Sequence, residues 1–209
     1  MELICLGDSL TFGYGVPKGS RWTTRLAQKT GWRIYNFGVC GDTTGGMLTR
    51  LVGQISPQLL ESRGESGPAV LLMGGSNDIF YSETDAAARS NMGAMLHQLL
   101  GLGVSPIIGI PLPVIPSQVP EDWRTFANFA VCAEILESYG QWLLRCCRAF
   151  HLTCVDFRPA FRDAAHKPRR ELFLDGMHPT EEGHRYMAEQ LLKTLGERPN
   201  GEEGVACGP

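Results

Sequence analysis

The stretch Leu3-Ile4-Cys5-Leu6-Gly7-Asp8-Ser9-Leu10 joins a short apolar run directly to a polar turn. A run of this kind, closed by glycine, is typical of a buried strand in a parallel sheet that helices cover on both faces. In open α/β sheets, ligand sites lie just outside the carboxyl ends of the strands. The stretch therefore predicts a parallel sheet and places Ser9 at the edge where such a sheet builds its site.

The rest of the chain alternates short apolar runs with longer stretches of helical periodicity. Strands are predicted at residues 3–6, 33–37, 69–73, 105–110 and 152–157. Helices are predicted at residues 22–30, 47–60, 86–102, 123–150 and 181–195, the last capped by Thr180. Strands that alternate with helices form parallel βαβ units, so the predicted fold class is α/β.

Length and composition indicate one globular domain. The chain has 209 residues, of which 43% are apolar and 20% charged. We expect this domain to span residues 1–195, because residues 196–209 mix Gly, Pro, Asn and Glu without periodicity and resemble a flexible tail. Four prolines between residues 111 and 120 predict a stiff loop there.

Charge and hydropathy exclude several kinds of partner. The formal net charge is −3, so the chain has no basic footprint that would attract nucleic acid or anionic lipid. No uncharged run approaches the ~18 apolar residues of a membrane-spanning helix, and the N-terminal residues lack the features of an export signal. We therefore expect a cytoplasmic protein with a small-molecule partner and no stable membrane insertion.

The cysteines point to structural thiols. Their number, seven, is odd, and no C-x-x-C spacing accompanies them. Neither a zinc site nor a redox motif is indicated, and buried cysteines in a reducing compartment act as small hydrophobic residues.

Two distant motifs carry the candidate chemistry. Ser9 follows the first predicted strand, and Asp175-Gly176-Met177-His178-Pro179 precedes the last predicted helix. A carboxylate that holds one imidazole nitrogen leaves the other free to take a proton from a serine hydroxyl. Each motif alone is equally well explained as an ordinary turn.

Two further turns follow the second and third predicted strands. Gly41 lies in a Gly-Asp-Thr turn, and Asn77 in Gly75-Ser76-Asn77-Asp78. A glycine allows a backbone N–H to approach a ligand closely, and an asparagine amide donates hydrogen bonds, as an oxyanion hole requires. Taken singly, either residue could merely form its turn.

Together, these four motifs in this order resemble the successive blocks of the SGNH (GDSL) hydrolases, over nearly the whole chain from Gly7 to Pro179. The similarity is greatest to the bacterial branch that contains thioesterase I, lysophospholipase L1 and arylesterase. The resemblance implies a flavodoxin-like three-layer α/β/α sandwich with a five-stranded parallel sheet of order 2-1-3-4-5, and no metal or organic cofactor. It further implies Ser9 as nucleophile, His178 as base and Asp175 as its partner, with Ser9 N–H, Gly41 N–H and the Asn77 amide as oxyanion donors.

Two other functions compete with this interpretation. In a metal-dependent phosphoesterase, Asp8, Asp42, Asn77 and His178 would bind divalent ions, although no paired ligand spacing accompanies them. In a non-catalytic flavodoxin-like module, the glycines at the strand ends would only hold a ligand. An α/β-hydrolase is disfavoured because the chain lacks G-x-S-x-G.

The predicted activity is hydrolysis of carboxylic esters by an esterase or lipase-type acylhydrolase through an acyl-enzyme on Ser9. Short acyl esters, acetylated sugars, lysophospholipids and thioesters are all candidate substrates. The candidate substrate-pocket residues are Asp8, Leu10, Phe80 and Met177, and also Phe12, Tyr14, Trp22, Tyr81 and the loop at 114–119. Aromatic residues at such positions also serve in cores.

Overall fold

A computed structural model describes residues 1–56 and 67–196 of the chain. Its sheet has five parallel strands in the order β2-β1-β3-β4-β5, as predicted. The strands are β1 (Glu2–Gly7), β2 (Arg33–Gly38), β3 (Ala69–Met73), β4 (Ile107–Ile110) and β5 (Thr153–Asp156). All five lie within two residues of the predicted bounds.

Helices cover both faces of the sheet. The helices are α1 (Ser9–Phe12), α2 (Trp22–Thr30), α3 (Thr44–Arg50), α4 (Ser76–Ser82), α5 (Ala86–Gly101), α6 (Glu121–Phe126), α7 (Phe129–Ala149) and α8 (Glu181–Gly196). The helices α2 and α8 pack together on one face, and α3, α5 and α7 cover the other. The predicted three-layer α/β/α sandwich is confirmed.

Alternate side chains of each strand enter separate cores. In β1, Leu3 and Cys5 pack with Trp22 of α2, whereas Ile4 and Leu6 pack with Met47 and the other helices of the second layer. Because successive side chains of a strand point to opposite faces, one apolar run contributes to both cores. Strands buried on both sides need no polar alternation, which explains the apolar sequences of β3 and β4, whereas the edge strand β2 is partly exposed and contains Arg33 and Asn36.

Two of the predicted helices differ from the structure. The helix predicted at 47–60 begins at Thr44 and continues beyond Arg50 as a π-helical turn, Leu51–Ile55; its last part lies outside the described residues. The helix predicted at 123–150 is two helices, because Ala127 is extended and Asn128 starts α7. The Asn128 side chain accepts hydrogen bonds from two N–H groups of the first turn, a strong N-cap.

The remaining predictions concern the ends of the chain and its loops. Thr180 caps α8 as expected, since its hydroxyl accepts a hydrogen bond from Gly183 N–H. The helix reaches Gly196, and the rest of the predicted tail lies outside the described residues. The proline-rich segment is a loop with one 3₁₀ turn, Pro116–Gln118. Within residues 1–56 and 67–196, no helix is long and apolar enough to cross a membrane.

The topology brings the sequence motifs to one edge. β1 runs directly into α1, β3 runs into α4, and the turn after β2 leads to α3. β1 and β3 are neighbours although β2 lies between them in the chain, so the sheet reverses its direction of growth beside β1. Such a switch point is where doubly wound sheets bind their ligands.

Candidate active site

Ser9 is the first residue of α1, directly after β1. The Asp8 carboxylate caps this short helix by accepting the Leu10 N–H at 2.9 Å. Gly7 is required at the end of the strand because a Cβ there would collide with the Met73 carbonyl and the Thr11 hydroxyl. The Ser9 N–H, at the first helical position, has no acceptor within the helix and remains available.

Asp175 and His178 form a compact unit in the loop before α8. One oxygen of the Asp175 carboxylate accepts the N–H groups of Met177, at 3.0 Å, and His178, at 2.8 Å. The other oxygen lies 2.7 Å from Nδ1 of His178. The spacing of three residues therefore lets one carboxylate hold both the backbone and the ring of the histidine.

The second imidazole nitrogen meets the serine. His178 Nε2 lies 2.9 Å from Ser9 Oγ, although the two residues are 169 positions apart in the chain. With the Nδ1 proton donated to Asp175, Nε2 is the acceptor of the hydroxyl proton. This hydrogen-bonded chain of carboxylate, imidazole and hydroxyl has the geometry of a proton relay that activates a serine.

The carboxylate in this chain stays ionised. Burial raises the pKa of Asp175, but its hydrogen bonds to the His178 ring and backbone, together with the charge of His178, outweigh that effect and lower the pKa overall. A negative group beside Nδ1 stabilises the imidazolium that forms when His178 accepts a proton. The pair is thus suited to acid–base chemistry.

Gly41 lies in a tight turn next to the serine. Asp42 N–H donates to the Val39 carbonyl at 3.2 Å, and Gly41, the third residue of this four-residue turn, has φ +77°. A positive φ at that position is the mark of a type II turn and favours glycine. The turn presents Gly41 at the wall of the cavity that contains Ser9.

Asn77 lies in the first turn of α4 and is 7% exposed. One hydrogen of its side-chain amide is donated to the Asp42 carbonyl at 2.8 Å. An amide carries two hydrogens, so the second remains for a ligand. The bond to Asp42 ties α4 to the Gly41 turn and fixes the direction of the amide.

A single cavity of about 270 Å³ brings the predicted residues together. Ser9, Gly41, Asn77, Asp175 and His178 all line it. The predicted pocket residues Asp8, Leu10, Phe80 and Met177 line it as well, together with Tyr14 and Val114.

Three of the aromatic candidates do not line the cavity, so that part of the prediction is wrong. Trp22 is fully buried in the core, where its indole N–H donates to the Leu10 carbonyl at 2.9 Å. Phe12 lies beneath the Arg21 guanidinium. Tyr81 packs edge-on against Phe126.

Comparison with known proteins decides the family. The sequence model of the GDSL-like lipase/acylhydrolase family matches residues 5–186, which include every residue of the cavity named above. The chain belongs to this family. It is therefore a GDSL-type esterase or acylhydrolase, and its sheet order is the one expected for that fold.

Individual relatives of this GDSL hydrolase agree. An arylesterase from Vibrio mimicus is 25% identical over 199 residues, covering 93% of this chain and 88% of its own. The solved structure of a G-D-S-L family protein from Veillonella parvula has a TM-score of 0.76 and 22% identity, covering 95% of this chain and 100% of that one. A carbohydrate acetylesterase from Sinorhizobium meliloti has a TM-score of 0.73 and 18% identity, covering 93% and 98%.

Several residues around the GDSL site were not predicted from the sequence. Cys40, Leu112, Pro113 and Trp123 line the cavity. Cys40, one of the cysteines interpreted as structural thiols, is exposed because it lies in the turn directly before Gly41. The position of Cys40 next to Gly41 in the chain was the available indication, whereas nothing local marks Trp123.

Two contacts from other segments of the GDSL hydrolase support the loop that contains Asp175 and His178. The Tyr14 ring lies over the His178 ring, with centroids 4.5 Å apart. The Ile115 N–H, in the proline-rich loop, donates to the Gly176 carbonyl at 2.8 Å. Since Leu112 and Val114 of the same loop line the cavity, this loop forms part of its wall and also supports the histidine.

The four residues considered as metal ligands have other partners in this GDSL hydrolase. The Asp42 carboxylate is paired with Arg50, and Asp8 caps α1. Burial raises the pKa of Asp8 to about 7, although the Leu10 N–H and the charge of His178 oppose the shift. Asn77 donates to a carbonyl, and His178 is held by Asp175. Within the described ranges, no three His, Cys, Asp or Glu side chains are grouped as a metal site.

Proposed function

We propose that this GDSL hydrolase is a serine esterase that cleaves small carboxylic esters through an acyl-enzyme on Ser9. The observation that carries the proposal is the unbroken chain from the Asp175 carboxylate through His178 to the Ser9 hydroxyl, with links of 2.7 and 2.9 Å. The chain ends in a cavity of about 270 Å³, so the hydroxyl is accessible to a small substrate.

In the first half of the reaction, Ser9 Oγ attacks the ester carbonyl carbon while its proton passes to His178 Nε2. The tetrahedral intermediate then collapses, the bond to the alcohol oxygen breaks, and Nε2 returns the proton to the leaving alcohol. In the second half, His178 takes a proton from water as the water oxygen attacks the acyl carbon. The bond from that carbon to Ser9 Oγ then breaks, His178 returns the proton to Oγ, and the carboxylic acid is released.

Three donors serve the developing oxyanion in this proposal. They are the Ser9 N–H, the Gly41 N–H and the free amide hydrogen of Asn77. The first two are backbone groups fixed by the α1 cap and by the type II turn, and the third is held by its bond to Asp42. Fixed donors need no reorganisation during the reaction, and each is typically worth ~10²- to 10³-fold in rate.

The nucleophile is tested with Ser9→Ala. We expect the variant to fold normally and to lose nearly all hydrolysis of p-nitrophenyl acetate, and to lose labelling by a fluorophosphonate probe. The control is Ser90→Ala, an exposed serine on α5, which should behave as wild type. Wild-type turnover or labelling of Ser9→Ala would show that the nucleophile is assigned wrongly.

The cavity favours a short acyl group and an apolar alcohol or phenol group. A cavity of ~150 Å³ is enough for benzene, so about 270 Å³ leaves room for one ring and a few more atoms. Leu10, Phe80, Leu112, Val114 and Met177 make much of its wall apolar. Two of the relatives, an arylesterase and a carbohydrate acetylesterase, are by their names esterases of this kind, which supports the proposed substrate class. Lysophospholipids and long-chain thioesters are the less favoured substrates.

This substrate class is tested with p-nitrophenyl esters of rising acyl length, beside acetylated xylose and a lysophospholipid. We expect kcat/KM to be highest for acetate or butyrate and to fall at least tenfold by laurate, because a long chain exceeds the cavity. A kcat/KM that keeps rising to laurate, or preferred hydrolysis of the lysophospholipid, would contradict the short-acyl assignment.

A further inference from the structure

The Arg50 side chain binds three segments of the chain next to the candidate active site. Its Nη1 donates to the Phe37 carbonyl at 2.6 Å and its Nη2 to the Gly7 carbonyl at 3.0 Å. Its Nε donates to the Asp42 carboxylate at 3.0 Å, and Nη2 reaches the same oxygen. The side chain is only 16% exposed, so these bonds are largely shielded from water.

The acceptors belong to the segments that carry the proposed oxyanion donors. Gly7 ends β1 two residues before Ser9, and Phe37 lies at the end of β2. Asp42 follows Gly41 directly, and its carbonyl accepts the Asn77 amide. One rigid guanidinium therefore connects the serine, the glycine turn and, through Asp42, the asparagine.

We propose that Arg50 is a positioning residue for the oxyanion hole, an inference that rests on the serine esterase mechanism proposed above. Arg50 binds the Gly7 carbonyl on the side of Ser9, and the Phe37 carbonyl and Asp42 carboxylate on the side of Gly41. It thereby fixes the distance between the Ser9 N–H and the Gly41 N–H. Oxyanion donors act only when they lie ~2.7–3.1 Å from the charged oxygen. Misplacement by ~1 Å can cost about a hundredfold in rate.

Arg50 also neutralises the Asp42 carboxylate, which lies close to the proposed oxyanion hole. The Asp42 carboxylate, 13% exposed, is adjacent in the chain to Gly41, where negative charge develops during the reaction. It lies against the first turn of α3, where a Cβ on Gly46 would collide with it. Enclosed in this way, an unpaired carboxylate would repel the oxyanion, and the guanidinium cancels that repulsion.

Arginine is suited to this role because its donors form a planar fork. Lysine carries the same charge on a point-like ammonium and cannot bind two carbonyls and a carboxylate in a fixed arrangement. Arg50→Gln removes the charge and the fork, whereas Arg50→Lys removes only the fork. The two variants separate neutralisation from positioning.

We expect Arg50→Gln to lower kcat for p-nitrophenyl acetate about tenfold to a hundredfold, with KM changed less than threefold. Arg50→Lys should fall between this variant and wild type. Affinity for a trifluoromethyl ketone, which forms a charged tetrahedral adduct on serine, should decrease in parallel with kcat/KM, because only the oxyanion-bearing state is affected.

The matched control is Arg158→Gln, which removes another buried arginine. Arg158 binds Asp156 and Glu137 and does not itself line the cavity that contains Ser9, so its loss should lower thermal stability and leave kcat within twofold. The inference is overturned if Arg50→Gln merely loses stability as Arg158→Gln does, with kcat and inhibitor affinity unchanged. Should Arg50→Gln fail to fold, a fully active Arg50→Lys would overturn it equally.

The two proposals fail in different ways. If Ser9→Ala is inactive and the Arg50 variants retain full kcat, only the positioning role is refuted. If Ser9→Ala remains active, the esterase mechanism itself is refuted, and the positioning role with it.

Discussion

Asp8 and His184 are buried titratable residues close to His178. Burial raises the pKa of Asp8 from 3.8 to about 7. Burial, reinforced by the charges of Arg21 and Arg25, lowers the pKa of His184 from 6.5 to about 4. In both cases the folded protein favours the neutral side chain, because desolvation outweighs the opposing charge of His178 at Asp8, and nearby cations add to desolvation at His184.

These shifts have opposite effects on stability as the pH rises. Between pH 3.8 and about 7, folded Asp8 keeps a proton that the unfolded chain has lost, so its contribution makes the free energy of unfolding fall with rising pH. Between pH 4 and 6.5, unfolded His184 binds a proton that the folded state excludes, so its contribution rises with pH. The two contributions oppose one another across most of this range.

Single substitutions should expose each contribution. Relative to wild type, Asp8→Asn should become more stable as the pH rises from 4 to 7, by up to about 4 kcal/mol, since asparagine can still cap α1. His184→Asn should show the opposite relative trend, by up to about 3 kcal/mol. The variant should fold, since its amide oxygen can accept the Trp22 backbone N–H that His184 Nδ1 accepts in the wild type.

Urea denaturation at several pH values measures both variants. Parallel stability curves for the two variants and wild type would contradict the shifts. A reversal of the two trends would show that the buried groups are charged in the folded state.

At the level of single residues, the sequence predicted which side chains of the candidate site lie together better than it predicted their surroundings. Asp175 and His178 are three positions apart, so their pairing is local and readable. Ser9 and His178 needed the family resemblance, because 169 positions separate them. The role inferred for Arg50 was not foreseen, since its acceptors at Gly7 and Phe37 are backbone carbonyls, which carry no residue type.

At the level of elements, α6 forms an aromatic rim on the cavity. No residue of this six-residue helix is buried. Trp123 lines the cavity and touches Phe126 edge-on, with ring centroids 6.2 Å apart, and Phe126 touches Tyr81 at 5.7 Å. Of these three rings, the Trp123 ring lines the cavity, where it can contact the aromatic group of a bound ester.

Trp123→Ala should therefore reduce the preference for aromatic esters. We expect kcat/KM for naphthyl acetate to fall about twofold to tenfold relative to ethyl acetate, the value of one aromatic contact. Phe150→Ala, which removes an exposed ring at the end of α7, should leave the ratio unchanged. An unaltered ratio in Trp123→Ala would exclude the rim from substrate selection.

Elements were predictable where periodicity extends over several turns. The helix α2 matches its predicted bounds fully, and α5 and α8 do so to within one residue. The helices α1 and α4 were missed because four and seven residues are too few to show a period. The break before α7 was missed because apolar spacing continues through it, and only the Asn128 cap marks it.

At the level of the whole molecule, the alternation of strands and helices was enough to predict the class, and the family resemblance supplied the strand order. The shape of the cavity could not be derived in this way. Its wall combines residues from the ends of several strands with a proline-rich loop and α6, and their meeting depends on packing between distant segments. Local sequence carries little of that information.

The proline-rich loop has a consequence for attempts to alter this enzyme. Its Leu112 and Val114 shape the cavity, while Ile115 holds the Gly176 carbonyl next to the histidine. A change in this loop that alters ester selectivity is therefore expected to alter turnover as well, because only three peptide units separate residue 112 from residue 115. Grafting a relative's loop to change the preferred ester would disturb the proposed proton transfer unless the graft preserves a backbone N–H donor at position 115. Libraries of variants should therefore change residues 112 and 114 and keep the hydrogen bond from residue 115 to the Gly176 carbonyl.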